Sequence, residues 1–237
     1  SALRRADDGP AFCASFERLA GAPLRILSGD EEAGYSFIGA VRGLGLHGEL
    51  GVLDAGGGSA EYAYGDEDGA HCAISCEIGA VRLTERIPGL DGRKGAVASD
   101  ELEDARGIVR KALLPLRSQP HPQKLVAVGG TVFAAGALIA QQDDRERLSG
   151  TTLSREALDG LLARLASLDL QARRALPHMI AQRADILPGG LIVVITAMTI
   201  LECDEIVLSA SDLLYGYLIS QADGETQEAP PNIPTQG

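Results

Sequence analysis

The residues best suited to chemistry lie in one run, Asp54-Ala55-Gly56-Gly57-Gly58-Ser59-Ala60-Glu61. An apolar stretch, Leu50 to Leu53, precedes it and an alternating stretch, Tyr62 to Gly65, follows, which reads as strand, glycine turn, strand. Consecutive glycines let the backbone approach a ligand closely and turn successive N–H groups toward it, an arrangement that suits phosphate. Ser59 adds a hydroxyl. Asp54 and Glu61 add carboxylates, hard oxygen ligands that suit a divalent cation such as Mg²⁺ shared with that phosphate. The run is not a Walker A loop, because no Lys follows and the next element is not a helix; the second reason also excludes a Rossmann loop.

A second turn, Gly129-Gly130-Thr131, follows the apolar run Leu125 to Val128 and opens an Ala-rich helix. It reads equally as a tight packing turn or as an anion site. The two turns echo one another: Val52-Leu53-Asp54-Ala55-Gly56-Gly57 resembles Val126-Ala127-Val128-Gly129-Gly130-Thr131. Facing one cleft, they would form two walls of a phosphate or nucleotide site. Glu31 and Glu32 open another helix. Complementing the helix dipole explains Glu31 well, and one of the pair is a candidate base if it aims inward. Arg4, Arg82, Arg86 and Arg183 are candidate phosphate partners, since guanidinium binds phosphate bidentately, although each taken singly suits a surface or salt-bridge role better. The four histidines show no ligand spacing.

The elements that must hold these residues follow from pattern. Helices are expected over Asp7–Ala20, Ser28–Gly43 (capped by Ser28), Ser99–Leu116, from the second glycine turn to Gln141, over Ser154–Ala166, Gly189–Leu201 and Asp212–Ala222. Strands are expected over Leu24–Leu27, Leu50–Leu53, Glu61–Gly65, His71–Glu77, Leu125–Val128 and Glu205–Leu208. The chain has 237 residues, 45% hydrophobic and only 4% aromatic, so small aliphatic side chains and glycine must fill an α/β core. The net charge of −12 argues against a nucleic-acid surface, and it leaves any polyanion to be held by local N–H groups, a few arginines and metal ions. Cys13, Cys72, Cys76 and Cys203 lack zinc spacing and read as reduced thiols of a cytoplasmic protein, with Cys13 and Cys203 in the core. No leader peptide and no apolar run long enough to span a membrane is recognisable.

Several segments, in order, resemble the exopolyphosphatase / guanosine pentaphosphate phosphohydrolase (Ppx/GppA) family. They are Ser1-Ala2-Leu3-Arg4, Ser28-Gly29-Asp30-Glu31-Glu32-Ala33, Asp54 to Glu61, Ile78 to Arg86, Val128-Gly129-Gly130-Thr131 and Arg183 to Gly190. The resemblance implies the actin/Hsp70/sugar-kinase architecture, two ribonuclease-H-like domains around a cleft. Domain I would be incomplete at its N-terminus, with residues 1–30 and about 212–222 its remnant, residues 31–211 domain II and residues 223–237 a flexible tail. The family's first phosphate loop would precede Ser1, so the sequence reads as a fragment of a longer, active enzyme. It further implies Glu32 as the catalytic base, with Glu61 helping to position the attacking water. Asp54 and Glu61 would hold Mg²⁺ or another divalent cation. Arg4, Gly56, Gly57, Gly58 and Ser59 would bind phosphate, with Gly129, Gly130 and Thr131 as the second loop. The implied activity is Mg-assisted release of terminal phosphate from polyphosphate, guanosine pentaphosphate or both, by a bacterial cytoplasmic enzyme without DNA or membrane partners, with homodimerisation left open. Without the first phosphate loop, the alternative is a polyphosphate- or alarmone-binding protein that does not hydrolyse. A kinase of the same superfamily is a further alternative, disfavoured by the absence of a sugar-binding motif.

Overall fold

The structure, a computed structural model, describes residues 2–222 and 224. The expected tail from Asp223 onward, Gly224 apart, therefore lies outside the described residues, as does Ser1. Six strands form one mixed sheet: β1 (Leu50–Ala55), β2 (Ala60–Asp66), β3 (Gly69–Cys76), β4 (Lys124–Val128), β5 (Thr152–Ser154) and β6 (Glu205–Leu208), in the order β3-β2-β1-β4-β6-β5. The first three make an antiparallel meander, β4 and β6 run parallel to β1, and β5 closes the edge antiparallel to β6. The helices are α1 (Ala2–Arg5), α2 (Gly9–Ala20), α3 (Gly29–Leu44), α4 (Ala80–Arg86), α5 (Ser99–Ala112), α6 (Gly130–Ala140), α7 (Arg145–Leu148), α8 (Arg155–Ala166), α9 (Leu170–Arg174), α10 (Leu187–Ile200) and α11 (Leu213–Ala222).

Alternation along the strands divides the core. Leu50, Val52, Ala63, Ala73, Val126 and Val128 face α3, meeting Ala33, Phe37, Ala40 and Val41. Leu53, Tyr62, Leu125 and Ala127 face the opposite layer, whose centre is α10. That helix is buried continuously from Leu187 to Met198, which explains why its sequence is apolar all round. It begins at Leu187, two residues before the expected start, because Pro188 fits the first turn, where no backbone donor is needed. Outside α3 lies α11. The two backbones cross at paired glycines: a Cβ on Gly216 would be 2.8 Å from the Gly39 nitrogen.

Three expectations are corrected. Leu24–Leu27 is not a strand; none of its residues joins the six-stranded sheet, and side chains take up its outer backbone groups instead, Leu24 N–H donating to the Glu17 carboxylate at 3.1 Å and Leu27 O accepting from Arg4 at 2.7 Å. Cys13 and Cys203 are half-buried rather than core, although all four thiols are free. Helix α5 starts at Ser99 as expected; its cap position is Ala98, whose N–H donates to the Glu101 carboxylate at 3.2 Å. The helix expected to run to Leu116 ends at Ala112 and continues as a 3-10 turn, Leu114–Ser118, with Pro115 unable to donate to a longer helix. The short helices α1, α4, α7 and α9 and the short strand β5 have no counterpart among the expected elements.

A carboxylate row beneath two glycine turns

The sheet register assembles the site. Asp54 lies directly opposite Glu61 across β1–β2, and Glu61 directly opposite Ser75 across β2–β3. Paired residues share a face, so all three sit on the α3 side, where the apolar rows below them end. Ser75 Oγ donates to Glu61 Oε1 at 2.8 Å, and Ser36 Oγ, from α3, donates to Asp54 Oδ2 at 3.3 Å. Ser59 supplies a further side-chain hydrogen bond to Glu61. Burial pushes the Glu61 carboxyl up to about 7, against these two hydroxyls and helped by the neighbouring charges of Asp54 and Glu32. Burial also pushes Asp54 up to about 6, opposed by Ser36 and reinforced by Asp212 and Glu32. Glu61, buried, and Asp54, half-buried, thus stand side by side as carboxylates whose ionised forms a cation would stabilise.

The first glycine turn is held from behind. Gly56 N–H donates to Ser59 O at 3.0 Å, closing the turn. The first amides of α4 then grip its carbonyls: Ala80 N–H donates to Gly56 O at 2.9 Å, and Val81 and Arg82 N–H donate to Gly57 O at 2.9 and 3.1 Å. With the carbonyls committed to α4, the N–H groups of Gly57, Gly58 and Ser59 have no protein acceptor among the described residues. Gly79 makes this grip possible, since a Cβ there would lie 2.6 Å from Gly57 O and 2.7 Å from Gly56 O. None of Gly56–Gly58 has a left-handed φ, so these glycines serve close approach rather than an unusual dihedral.

The N-terminus of α3 brings the third carboxylate. Glu31 closes a capping box: its side chain accepts from Ser28 N–H at 2.7 Å while Ser28 Oγ accepts from Glu31 N–H at 3.1 Å. Glu31 also pairs with Arg25. Glu32 instead meets Arg4, with Arg4 Nη1 2.9 Å from Glu32 Oε1 and Nη2 donating to Oε2 at 3.2 Å. Arg4 is itself anchored by Leu27 O at 2.7 Å. Beside them the Asp30 carboxyl accepts from the Ser75 backbone N–H and is raised by burial, with Ser75 and Arg4 opposing. The packing there is tight, as a Cβ on Gly29 would lie 2.6 Å from Ser75 Oγ.

The second turn stands alongside the first. In the β1–β4 register Val52, Leu53 and Asp54 pair with Val126, Ala127 and Val128, so the sequence echo is a spatial one and both turns leave the same end of adjacent parallel strands. Gly129 has φ 90°, and a Cβ there would lie 2.7 Å from Asp54 Oδ1. The Arg183 guanidinium covers Gly130. Thr131 is buried and its hydroxyl donates to Ala55 O at 3.1 Å, tying the two turns together. Arg82 points away, bonded to Glu77 at 2.7 Å, and Arg86 is exposed. The expected residues Arg4, Glu32, Asp54, Gly56–Ser59, Glu61 and Gly129–Thr131 are therefore neighbours. Among the described residues no three His, Cys, Asp or Glu side chains are grouped to hold a metal by themselves, so Asp54 and Glu61 stand as a pair. Sequence reasoning missed Ser36, Ser75, Asp30 and Gly79. Strand parity counted from Glu61 through a meander, and the one-turn spacing of Ser36 from Glu32, were the available signals.

No helix among the described residues is long and apolar enough to cross a membrane. The sequence model of the Ppx/GppA phosphatase family matches residues 1–225. The chain is similar to Exopolyphosphatase 2 of Mycobacterium tuberculosis, 35% identical over 215 residues that cover 86% of this chain and 66% of that protein. It is also similar to a guanosine-5'-triphosphate,3'-diphosphate pyrophosphatase of Vibrio parahaemolyticus, 27% identical over 93% of this chain and 43% of the relative. It thus spans about two thirds of the first relative and less than half of the second. Its fold matches an exopolyphosphatase from Cytophaga hutchinsonii with a TM-score of 0.84 at 22% identity, over 94% of this chain and 73% of that one. It also matches the Aquifex aeolicus Ppx-GppA enzyme with a TM-score of 0.81 at 24% identity, over 93% and 73%. With the six-stranded mixed sheet and both glycine turns in place, the fold is the actin/Hsp70/sugar-kinase one, and the chain belongs to the Ppx/GppA phosphatase family.

Proposed function

We propose that this chain carries the catalytic carboxylates and one wall of the phosphate site of a phosphoanhydride hydrolase acting on the terminal phosphate of polyphosphate, of guanosine pentaphosphate, or of both. The observation that carries this is the Asp54–Glu61 pair, facing each other across β1–β2 at the foot of a glycine turn with free N–H groups. The named relatives, an exopolyphosphatase and a guanosine-nucleotide pyrophosphatase, supply the substrate classes.

Phosphoryl transfer is catalysed by positioning and charge neutralisation rather than by covalent participation of the protein. The N–H groups of Gly57, Gly58 and Ser59 bind non-bridging oxygens of the terminal phosphate. Arg4 moves part of its charge from Glu32 to that phosphate as it enters. Glu32 then accepts the proton of a water aligned opposite the leaving oxygen, and Glu61 helps to orient that water. Arg183, above Gly130, faces the second turn. Asp54 and Glu61 fit a divalent cation: two hard oxygen donors on facing strand positions, each raised by burial, which is the protein share that Mg²⁺ takes when waters and phosphate oxygens complete its shell. When bound, such an ion supplies Lewis-acid neutralisation of phosphate charge. The free thiols are compatible with a reducing cytoplasm.

The test is phosphate release by the intact protein from long-chain polyphosphate and from guanosine pentaphosphate, with Mg²⁺ and with chelator. Mg-dependent release from at least one supports the reading. Tight binding of either substrate without any release would replace it with a sensor.

A further inference from the structure

Helix α5 packs into the α10 layer, on the other side of the sheet from the carboxylate row, and its outer face is split by charge. Ala105 and Val109 bury its inner face. Outward, Asp100, Glu103 and Asp104 occupy the first half and Arg110 and Lys111 the second, all of them exposed. Gly107 stands between the two halves on the same face, also exposed, and a Cβ there would meet nothing within 4 Å. Glycine in a helix interior costs stability relative to alanine. Here no left-handed φ and no crowding neighbour requires it. Arg110 reaches back over Gly107 to Glu103, at 2.6 Å. Asp104 and Lys111 have no ion-pair partner among the described residues.

Beside this face runs an open groove of about 730 Å³, walled by α5 and the 3-10 turn Leu114–Ser118 on one side and reaching α8 on the other. Leu162, Ile192, Ile195 and Ile200 give it an apolar floor. Leu114, on its wall, is 49% exposed. The charged lining is mainly cationic. Of its two carboxylates, Glu103 is the partner of Arg110, and Glu202 lies 3.6 Å from His121. Arg106 pairs with Asp159 of α8 at 3.7 Å. A groove of this sign on a chain of net charge −12 favours an acidic surface as its occupant.

We propose that this face docks a second copy of this chain, the two α5 helices packing antiparallel about a two-fold axis at Gly107. A two-fold contact must be self-complementary, and the α5 face is. Counted in equal steps from Gly107, Glu103 faces the second copy's Lys111 and Asp104 faces its Arg110, and the axis repeats each pair. The absent side chain at Gly107 lets the two backbones approach where they cross. Leu114 and the groove floor supply apolar surface that the contact removes from water. A uniformly basic face would suit a foreign acidic partner, whereas a face split about one glycine suits its own copy. The contact stands independently of the hydrolase reading, because the carboxylate row lies across the sheet.

The test is sedimentation velocity of the intact protein over a range of concentrations, at low and at high salt. The wild type should form a dimer that salt weakens. Arg110→Glu/Lys111→Glu sets like charges opposite one another and should raise the dissociation constant about tenfold or more. Adding Glu103→Lys/Asp104→Lys to that variant reverses the split and should restore the dimer. All four positions are exposed, so folding is retained. Gly107→Gln, whose side chain has open space within one copy, should separate the copies while leaving the circular dichroism spectrum unchanged. A wild type that stays monomeric at every concentration would overturn the proposal. So would a charge-reversed variant that dimerises as well as the wild type, or a fourfold variant that stays monomeric. Phosphate release, assayed separately, decides the hydrolase reading and not this one.

Discussion

At the residue scale, two facing carboxylates set how the site titrates. Asp54 is raised from 3.8 to about 6 and Glu61 from 4.5 to about 7, so the folded state holds these protons more tightly than the unfolded chain. Their contribution to stability is complete below about pH 4 and is lost as pH rises through 6 and 7. The magnitude is on the order of a few kcal/mol for the pair. An Asp54→Asn/Glu61→Gln variant, melted in chelator, should therefore be more stable than wild type at pH 8, and the gap should shrink toward pH 5. Added Mg²⁺ should raise the wild-type melting temperature at pH 8 and leave the variant unmoved. A gap independent of pH would contradict the raised carboxylates. At this scale the glycine run and its flanking acids were legible because type and spacing alone specify them. Ser36 and Ser75 were not, since single hydroxyls carry no pattern until register and helix phase bring them to Asp54 and Glu61.

Two glycine contacts decide how the elements position the site. Gly79 lets α4 cap the glycine turn, and Gly79→Ala forces backbone apart, because the new methyl meets two carbonyl oxygens. The expected cost is about 1–3 kcal/mol in stability, with a larger proportional loss of phosphate affinity than of fold, measured by urea titration and by phosphate binding. Gly216→Ala wedges α11 off α3 at the Tyr35 carbonyl, and should lower the urea midpoint by a similar free energy. If α11 were only loosely attached, that substitution would be neutral. The Ser28 cap and the meander were legible from local signals, and the β1–β4 echo anticipated a register that places the two turns side by side. The run Leu24–Leu27 misled because apolar content marks a strand only where a neighbour exists to pair with it. Helix α4 escaped notice because seven residues show too little periodicity to read.

The whole molecule is acidic, and the cations at its site are placed singly: Arg4 at Glu32 and Arg183 over Gly130. Attraction of an anionic substrate is therefore local, and added salt should raise the KM for phosphate release. Measuring KM at rising ionic strength checks this; a KM that does not move would contradict it. The family and the sheet were legible from motifs in order, whereas the place of Arg183 over the second turn was not, because its segment meets Gly130 only through folding. The central claim is that Glu32, held by Arg4 above the carboxylate pair, activates water. Its most direct test is Glu32→Gln in the intact protein, with phosphate release and polyphosphate binding measured on the same sample. Turnover lower by roughly two to four decades with binding retained is the predicted result. Release at near wild-type rate would contradict it.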